Sequence, residues 1–178
     1  MNPYTITGPV DCSVKPDLSV LKGKSVIITG GAGGLGEGYV RAFSKNGSFV
    51  TFGDIDEHKG KKLAEETGAQ FVKVDVAQWE QQVEMFKAAK ANSPHKSVDV
   101  VIANAGIGGQ DSIWELQDPG SDPVKPEFPI LDVDLFGVVY TFKLACHYFR
   151  SQPEDPQRDR CFIFKGSMMG YIDNIVRP

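Results

Sequence analysis

Five glycines fall within the seven residues Gly30-Gly31-Ala32-Gly33-Gly34-Leu35-Gly36, directly behind the apolar, β-branched run Val26-Ile27-Ile28-Thr29. Glycine accepts positive φ and allows close backbone approach, so such a turn can press its N–H groups against a pyrophosphate. Apolar Tyr39, Val40 and Phe43 follow at helical spacing, and a helix opening at the turn adds the positive end of its dipole. Asp54 closes the run Ser48-Phe49-Val50-Thr51-Phe52-Gly53-Asp54, about 20 residues on, where a carboxylate can hold ribose hydroxyls. Strand, glycine turn and helix make the first unit of a dinucleotide-binding βαβ fold. The other reading of the glycines is a tight turn without a ligand.

These residues are useful only if a parallel sheet lines them up, and the rest of the chain reads as such a sheet. Val98-Asp99-Val100-Val101-Ile102-Ala103 is a buried type of strand running into Asn104-Ala105-Gly106. Between the second strand and this one, Asp56 to Gly68 reads as a charged helix closed by glycine, with His58 on its solvated face. Gln70 to Val74 reads as the third strand, and the next helix runs from about Gln78 to Ala91, ended by Ser93-Pro94. Asp75, just before that helix, reads as its N-cap.

Residues 107–128, rich in Gly and Pro, form a long loop at the carboxyl end of a parallel strand, beside the crevice where such folds bind ligands. Trp114 in it anchors the loop or lines a pocket. Pro129 to Ser151 is the longest predicted helix, apolar round nearly its whole circumference, and it needs partners on more than one side. Cys161 to Lys165 is a fifth strand, left as an edge, with Gly166-Ser167 behind it. The alternation of strands and helices predicts an α/β, doubly wound parallel sheet. Residues 1–20 read as an irregular arm and residues 21–178 as one domain.

Composition narrows the function classes. Of 178 residues, 41% are hydrophobic and 24% charged, within the range of globular domains. A net charge of −4 argues against nucleic acid and anionic membrane as partners. No apolar run approaches the roughly 18 residues of a membrane span, and the N-terminus lacks the pattern of a secretory signal. Cys12, Cys146 and Cys161 sit in no metal or redox motif, so they read as structural or incidental thiols of a reducing, cytoplasmic compartment, and no metal site is expected.

The pattern Thr29-Gly30-x-x-x-Gly34-x-Gly36, with Asn104-Ala105-Gly106 after the fourth strand, resembles the short-chain dehydrogenase/reductase family over roughly residues 20 to 178. The resemblance implies a Rossmann-type sheet, incomplete at its C-terminal end, and an oxidoreductase acting on a small secondary alcohol or ketone. It implies cofactor contacts at Gly30, Gly31, Gly33, Gly34, Leu35, Gly36, Asp54, Asp75, Val76, Asn104, Ala105 and Gly106. For Asp75 this means the adenine region, compatible with the N-cap reading. NAD is expected rather than NADP, because Asp54 ends the second strand and Gly33 stands where NADP-preferring relatives often carry Arg or Lys. The long helix would also help build a homo-oligomer in the full-length form.

Ser167 falls where the family's catalytic Ser stands, with a strand-end turn residue as the other reading. Asp134 replaces the Asn of the family's water relay, and an ionised carboxylate accepts but does not donate hydrogen bonds. The family's Tyr-x-x-x-Lys lies about a dozen residues beyond the Ser, past Pro178, and Tyr171 is followed four positions later by Ile175. The expectation is therefore a dehydrogenase sequence cut short before that motif and silent as it stands. The alternative is a non-catalytic dinucleotide-binding or interaction module.

Overall fold

The computed structural model describes residues 11, 13–109, 117–153, 155 and 159–167. Trp114, Tyr171 and Cys12, with the first ten residues of the arm, lie outside them. The arm's described part carries one 3-10 turn, Leu18–Leu21, whose first residues are held by Asp17 accepting from Ser19 N at 2.9 Å.

Among the described residues five strands form one parallel sheet: β1 (Ser25–Thr29), β2 (Phe49–Asp54), β3 (Gln70–Lys73), β4 (Val100–Ala103) and β5 (Cys161–Phe164), in the order β3-β2-β1-β4-β5. The register pairs Val26 with Val50 and with Val100, and Ala103 with Phe164. Every residue of β1 and β4 is buried, as expected of central strands covered on both faces. Side chains alternate between those faces. Val26 and Ile28 join Phe52, Val40 and Leu63 under α1 (Gly34–Lys45) and α2 (Glu57–Thr67). Ile27 points the other way, into a second core with Met85, Phe86, Val101 and Leu144. That core lies under α3 (Trp79–Asn92) and the helix Val138–Ser151. The result is the doubly wound sandwich expected from the alternation of elements.

Local chemistry sets the helix ends. Asp56 caps α2 by accepting from Lys59 N at 2.9 Å, and that N–H holds the Asp56 carboxyl below its usual pKa. Gly68 ends α2 at φ +71, the left-handed conformation glycine adopts freely. Asp75 does not cap α3. The helix starts at Trp79 behind an uncapped Gln78, four residues later, and the Asp75 carboxylate accepts from Ala77 N at 2.9 Å instead.

The stretch read as one long helix has three parts. A single turn, α4 (Pro129–Leu131), passes into a π-helical segment, Asp132–Gly137, and then into α5 (Val138–Ser151). Buried Gln82 explains the widened turn: its Nε2 donates to Gly137 O at 2.9 Å and to Val76 O at 2.6 Å. Thr141 Oγ1 lies 2.8 Å from the same Gly137 O and 2.7 Å from Gln82 Oε1. A Cβ on Gly137 would meet Val76 Cγ2 at 2.8 Å, so a small residue must stand where the segment crosses Val76. One face of α5 buries Thr141, Leu144 and Ala145. On the other side Leu131, Leu135, Phe136, Val139 and Phe142 remain between 44% and 50% exposed. Among the described residues no helix is long and apolar enough to cross a membrane.

Candidate functional site

In an open parallel sheet, ligands bind at the carboxyl ends of the strands where the strand order reverses. Here that point lies between β1 and β4, and a cleft of about 520 Å³ opens there. The cleft gathers ten of the residues picked out in the sequence: Gly30, Gly33, Gly34, Leu35, Asp54, Asp75, Val76, Asn104, Ala105 and Gly106. Ile55, Val74, Ile107, Val133 and Lys165 complete the lining. Each of the first three adjoins a predicted residue, so the signal was position at a strand end rather than residue type.

The five glycines of the turn divide into two sets. A Cβ on Gly36 would lie 1.9 Å from Gly30 O, and one on Gly31 would lie 2.7 Å from Phe52 Cβ. At Gly30 the same atom would lie 2.7 Å from Ala105 Cα. These three let strand, turn and helix close on one another, and Gly31 and Gly36 do not line the cleft. Among the described residues Gly33 and Gly34 have nothing within 4 Å of the Cβ position, and both line the cleft, Gly34 at φ +56. Gly33 is the N-cap of α1, and the first N–H groups of a helix lack intrahelical partners. Backbone donors and the positive helix end therefore meet at an unobstructed surface, which suits an anion.

Two polar residues lock this turn to its neighbours. Asp54 Oδ2 accepts from Ala32 N at 2.9 Å and its Oδ1 from Asp56 N at 3.0 Å, so the half-buried carboxylate ties the end of β2 to the glycine turn. Asn104 Nδ2 donates to Thr29 O at 3.0 Å and Gly30 O at 2.9 Å, joining the ends of β1 and β4. Thr29 Oγ1 answers by accepting from the N–H groups of Asn104 and Ala105 at 3.0 and 3.1 Å. That leaves Asn104 Oδ1 buried with no hydrogen-bond partner among the described residues, in a residue only 4% exposed. An acceptor desolvated in this way costs free energy unless something donates to it.

Asp134 and Ser167 stand outside the lining. Asp134 sits in the π-helical segment and its Oδ1 accepts from Ile107 N at 2.9 Å, fixing the backbone just after Gly106. It works here as an acceptor, a task an Asp performs as well as an Asn. Ser167 is exposed beyond the end of β5, two residues after Lys165, which does line the cleft. Among the described residues no group of three or more His, Cys, Asp or Glu could hold a metal ion.

A sequence profile described as short chain dehydrogenase matches residues 24–155. The chain is 34% identical over 173 residues to a 5'-hydroxyaverantin dehydrogenase of Dothistroma septosporum, covering 89% of this chain and 56% of that protein. It is 32% identical over 173 residues to the NADP-dependent dehydrogenase clz5 of Cochliobolus lunatus, covering 88% of this chain and 59% of that protein. Among solved structures, a 3-ketoacyl-(acyl-carrier-protein) reductase from Brucella melitensis complexed with NADH matches with a TM-score of 0.62 and 31% identity. That match covers 73% of this chain and 52% of the reductase. The chain thus spans a little over half the length of these curated relatives.

Proposed function

The chain belongs to the short-chain dehydrogenases, and from that premise we propose that its cleft binds a nicotinamide dinucleotide, NAD in preference to NADP. The bound dinucleotide would exchange hydride with a secondary alcohol or the matching ketone. The observation that carries this reading is the unobstructed backbone at Gly33 and Gly34, where α1 begins at the cleft. These two positions would hold the pyrophosphate. Asn104 lines the same cleft and ties the ends of β1 and β4 together through its Nδ2. The open backbone donors fit a dinucleotide, whose phosphates need them. The nicotinamide brings the hydride chemistry when bound, and the chain's residues bind and orient.

Asp54 supports the preference for NAD. An ionised carboxylate has about four lone-pair positions, two of which are taken by Ala32 N and Asp56 N, so room is left for ribose hydroxyls. A 2′-phosphate at about 4 Å would instead be repelled by roughly 1 kcal/mol per unit charge in water and about 4 in a partly buried site. Asp75 and Val76 would border the adenine, while Ala105 and Gly106 lie on the nicotinamide side. Ser167 would hydrogen-bond the substrate oxygen, and Asp134 would act indirectly by holding Ile107.

The sequence contains no Tyr-x-x-x-Lys after Ser167, which favours nucleotide binding without turnover by the polypeptide of residues 1–178. The test is a titration of that polypeptide with NADH and NADPH by fluorescence, followed by an assay on a panel of secondary alcohols. Binding of NADH without turnover is the expected result. Failure to bind either nucleotide would refute the reading, and turnover would refute the claim of silence.

A further inference from the structure

Among the described residues Lys165 is the one cation that lines the cleft. Its backbone N donates to Ala103 O at 3.0 Å, so the parallel ladder continues one residue past β5 and delivers the side chain to the cleft's β5 end. Gly106, Ile107 and Val133, which also line the cleft, are apolar or small. None of the ion pairs formed among the described residues includes Lys165. Asp134 gives an oxygen to Ile107 N and lies outside the lining. Lys165 is exposed, so its ammonium is open to an anion that enters this end of the cleft.

The spacing of the sheet says which part of a ligand it would meet. Adjacent strands lie about 4.8 Å apart. In the order β2-β1-β4-β5, β5 is then about 10 Å from the glycine turn on β1 and about 14 Å from Asp54 on β2. Lys165 therefore sits at the opposite end of the cleft from the groups assigned to the dinucleotide's ribose and phosphates. Ser167 follows it by two residues, exposed and outside the lining.

We propose that Lys165 determines substrate specificity: its ammonium holds an anionic oxygen close to the carbon whose oxygen Ser167 would hold. The preferred substrate class is then a short keto acid or hydroxy acid rather than a neutral ketone or alcohol. Naming that anion as the substrate's rests on the dinucleotide reading; the charge selectivity of the β5 end does not.

Acetoacetate and its methyl ester make a matched pair of probes, alike in shape at the ketone and differing by one charge. Their binding to the 178-residue chain is measured by ligand-observed NMR, with and without saturating NADH, for wild type, Lys165→Met and Lys165→Arg. Wild type should bind acetoacetate at least about tenfold more tightly than the ester. Lys165→Met should erase that difference and Lys165→Arg should keep most of it, with NADH affinity within twofold throughout. Equal binding of the two probes by wild type overturns the proposal, as does a preference that survives in Lys165→Met. A large loss of NADH affinity in Lys165→Met would also overturn it, by giving the lysine to the nucleotide. If wild type fails to bind NADH, the dinucleotide reading falls alone, because the acetoacetate comparison without nucleotide still decides the role of Lys165.

Discussion

Gly36 lies against Gly30 so closely that a Cβ on it would sit 1.9 Å from the Gly30 carbonyl oxygen and 2.7 Å from Asn104 Nδ2. Both neighbours are fixed. The carbonyl is backbone, and the Asn104 amide is already bonded to Thr29 O and Gly30 O. The start of α1 can approach the end of β1 only because position 36 has no side chain.

Gly36→Ala should therefore push α1 away from the sheet and destabilise the fold by about 1–3 kcal/mol, the range for an overpacked core. Gly33→Ala is the control. Gly33 has an extended backbone, φ −162, and nothing within 4 Å of its Cβ position. It should keep the wild-type thermal midpoint and lose only NADH affinity, because the new methyl would occupy the surface offered to the phosphates. Thermal unfolding and NADH titration of the two variants separate these roles. A destabilised Gly33→Ala would show that the open set of glycines has been misassigned.

Asp54→Asn tests the cofactor preference. The amide oxygen can still accept one of the N–H groups of Ala32 and Asp56, so the turn is partly supported while the charge is removed. NADPH affinity should rise relative to NADH by about tenfold, since 1.4 kcal/mol corresponds to that factor and even aqueous repulsion of a dianion at about 4 Å exceeds it. An unchanged ratio of the two dissociation constants would remove Asp54 from the explanation.

Much of this architecture is legible in the residues, and the exceptions share a cause. The apolar runs at Val26–Ile28 and Val100–Ile102 announce strands buried on both faces because no polar residue interrupts them. The stop at Gly68 is equally local. The division of labour among the turn glycines is not, since it depends on Phe52 and Ala105, which reach the turn only through the sheet. Asp75 misleads a local rule: it precedes a helix, but α3 starts too late for it to cap. The π-helical segment depends on Gln82, 55 residues before Gly137 in the chain. Lys165 reads as the last residue of a strand and becomes a cleft residue only because β5 sits beside β4.

Gln82→Leu should show how much that distant contact matters. Gln82 is fully buried and its side chain serves Val76 O, Gly137 O and Thr141 Oγ1 together. Leucine keeps roughly the volume but removes the side-chain donor to Val76 O, while Gly137 O keeps Thr141 Oγ1, at about 1–3 kcal/mol for a group left stranded. The thermal midpoint should fall by several degrees, and the Asp132–Gly137 turn should shorten toward regular α-helix. Hydrogen exchange would reveal this as lost protection at Ile107 N, whose acceptor is Asp134 on that turn. A variant with wild-type stability and protection at Ile107 would mean that the π-helical geometry does not need Gln82.

The outer face beside α5 should govern the solution behaviour of residues 1–178. Leu135, Phe136 and Val139 are each about half exposed, and full burial of such a side chain stabilises by roughly 1.5–3 kcal/mol. Phe142 also lies on this side but already packs its ring on Phe162, at 5.1 Å between centroids, so it is a poor site for a probe. Covering the remaining half of three large side chains would recover several kcal/mol, a substantial part of the 5–15 kcal/mol that separates a typical folded domain from its unfolded state. Self-association through this face is the available route for an isolated chain. Light scattering should show a mass that grows with concentration, and Phe136→Glu with Val139→Lys should return it toward monomer without lowering the thermal midpoint. Those positions have little packing to lose. A wild-type chain that stays monomeric at high concentration, with the doubly charged variant no more soluble, would show that the exposed apolar face carries no association.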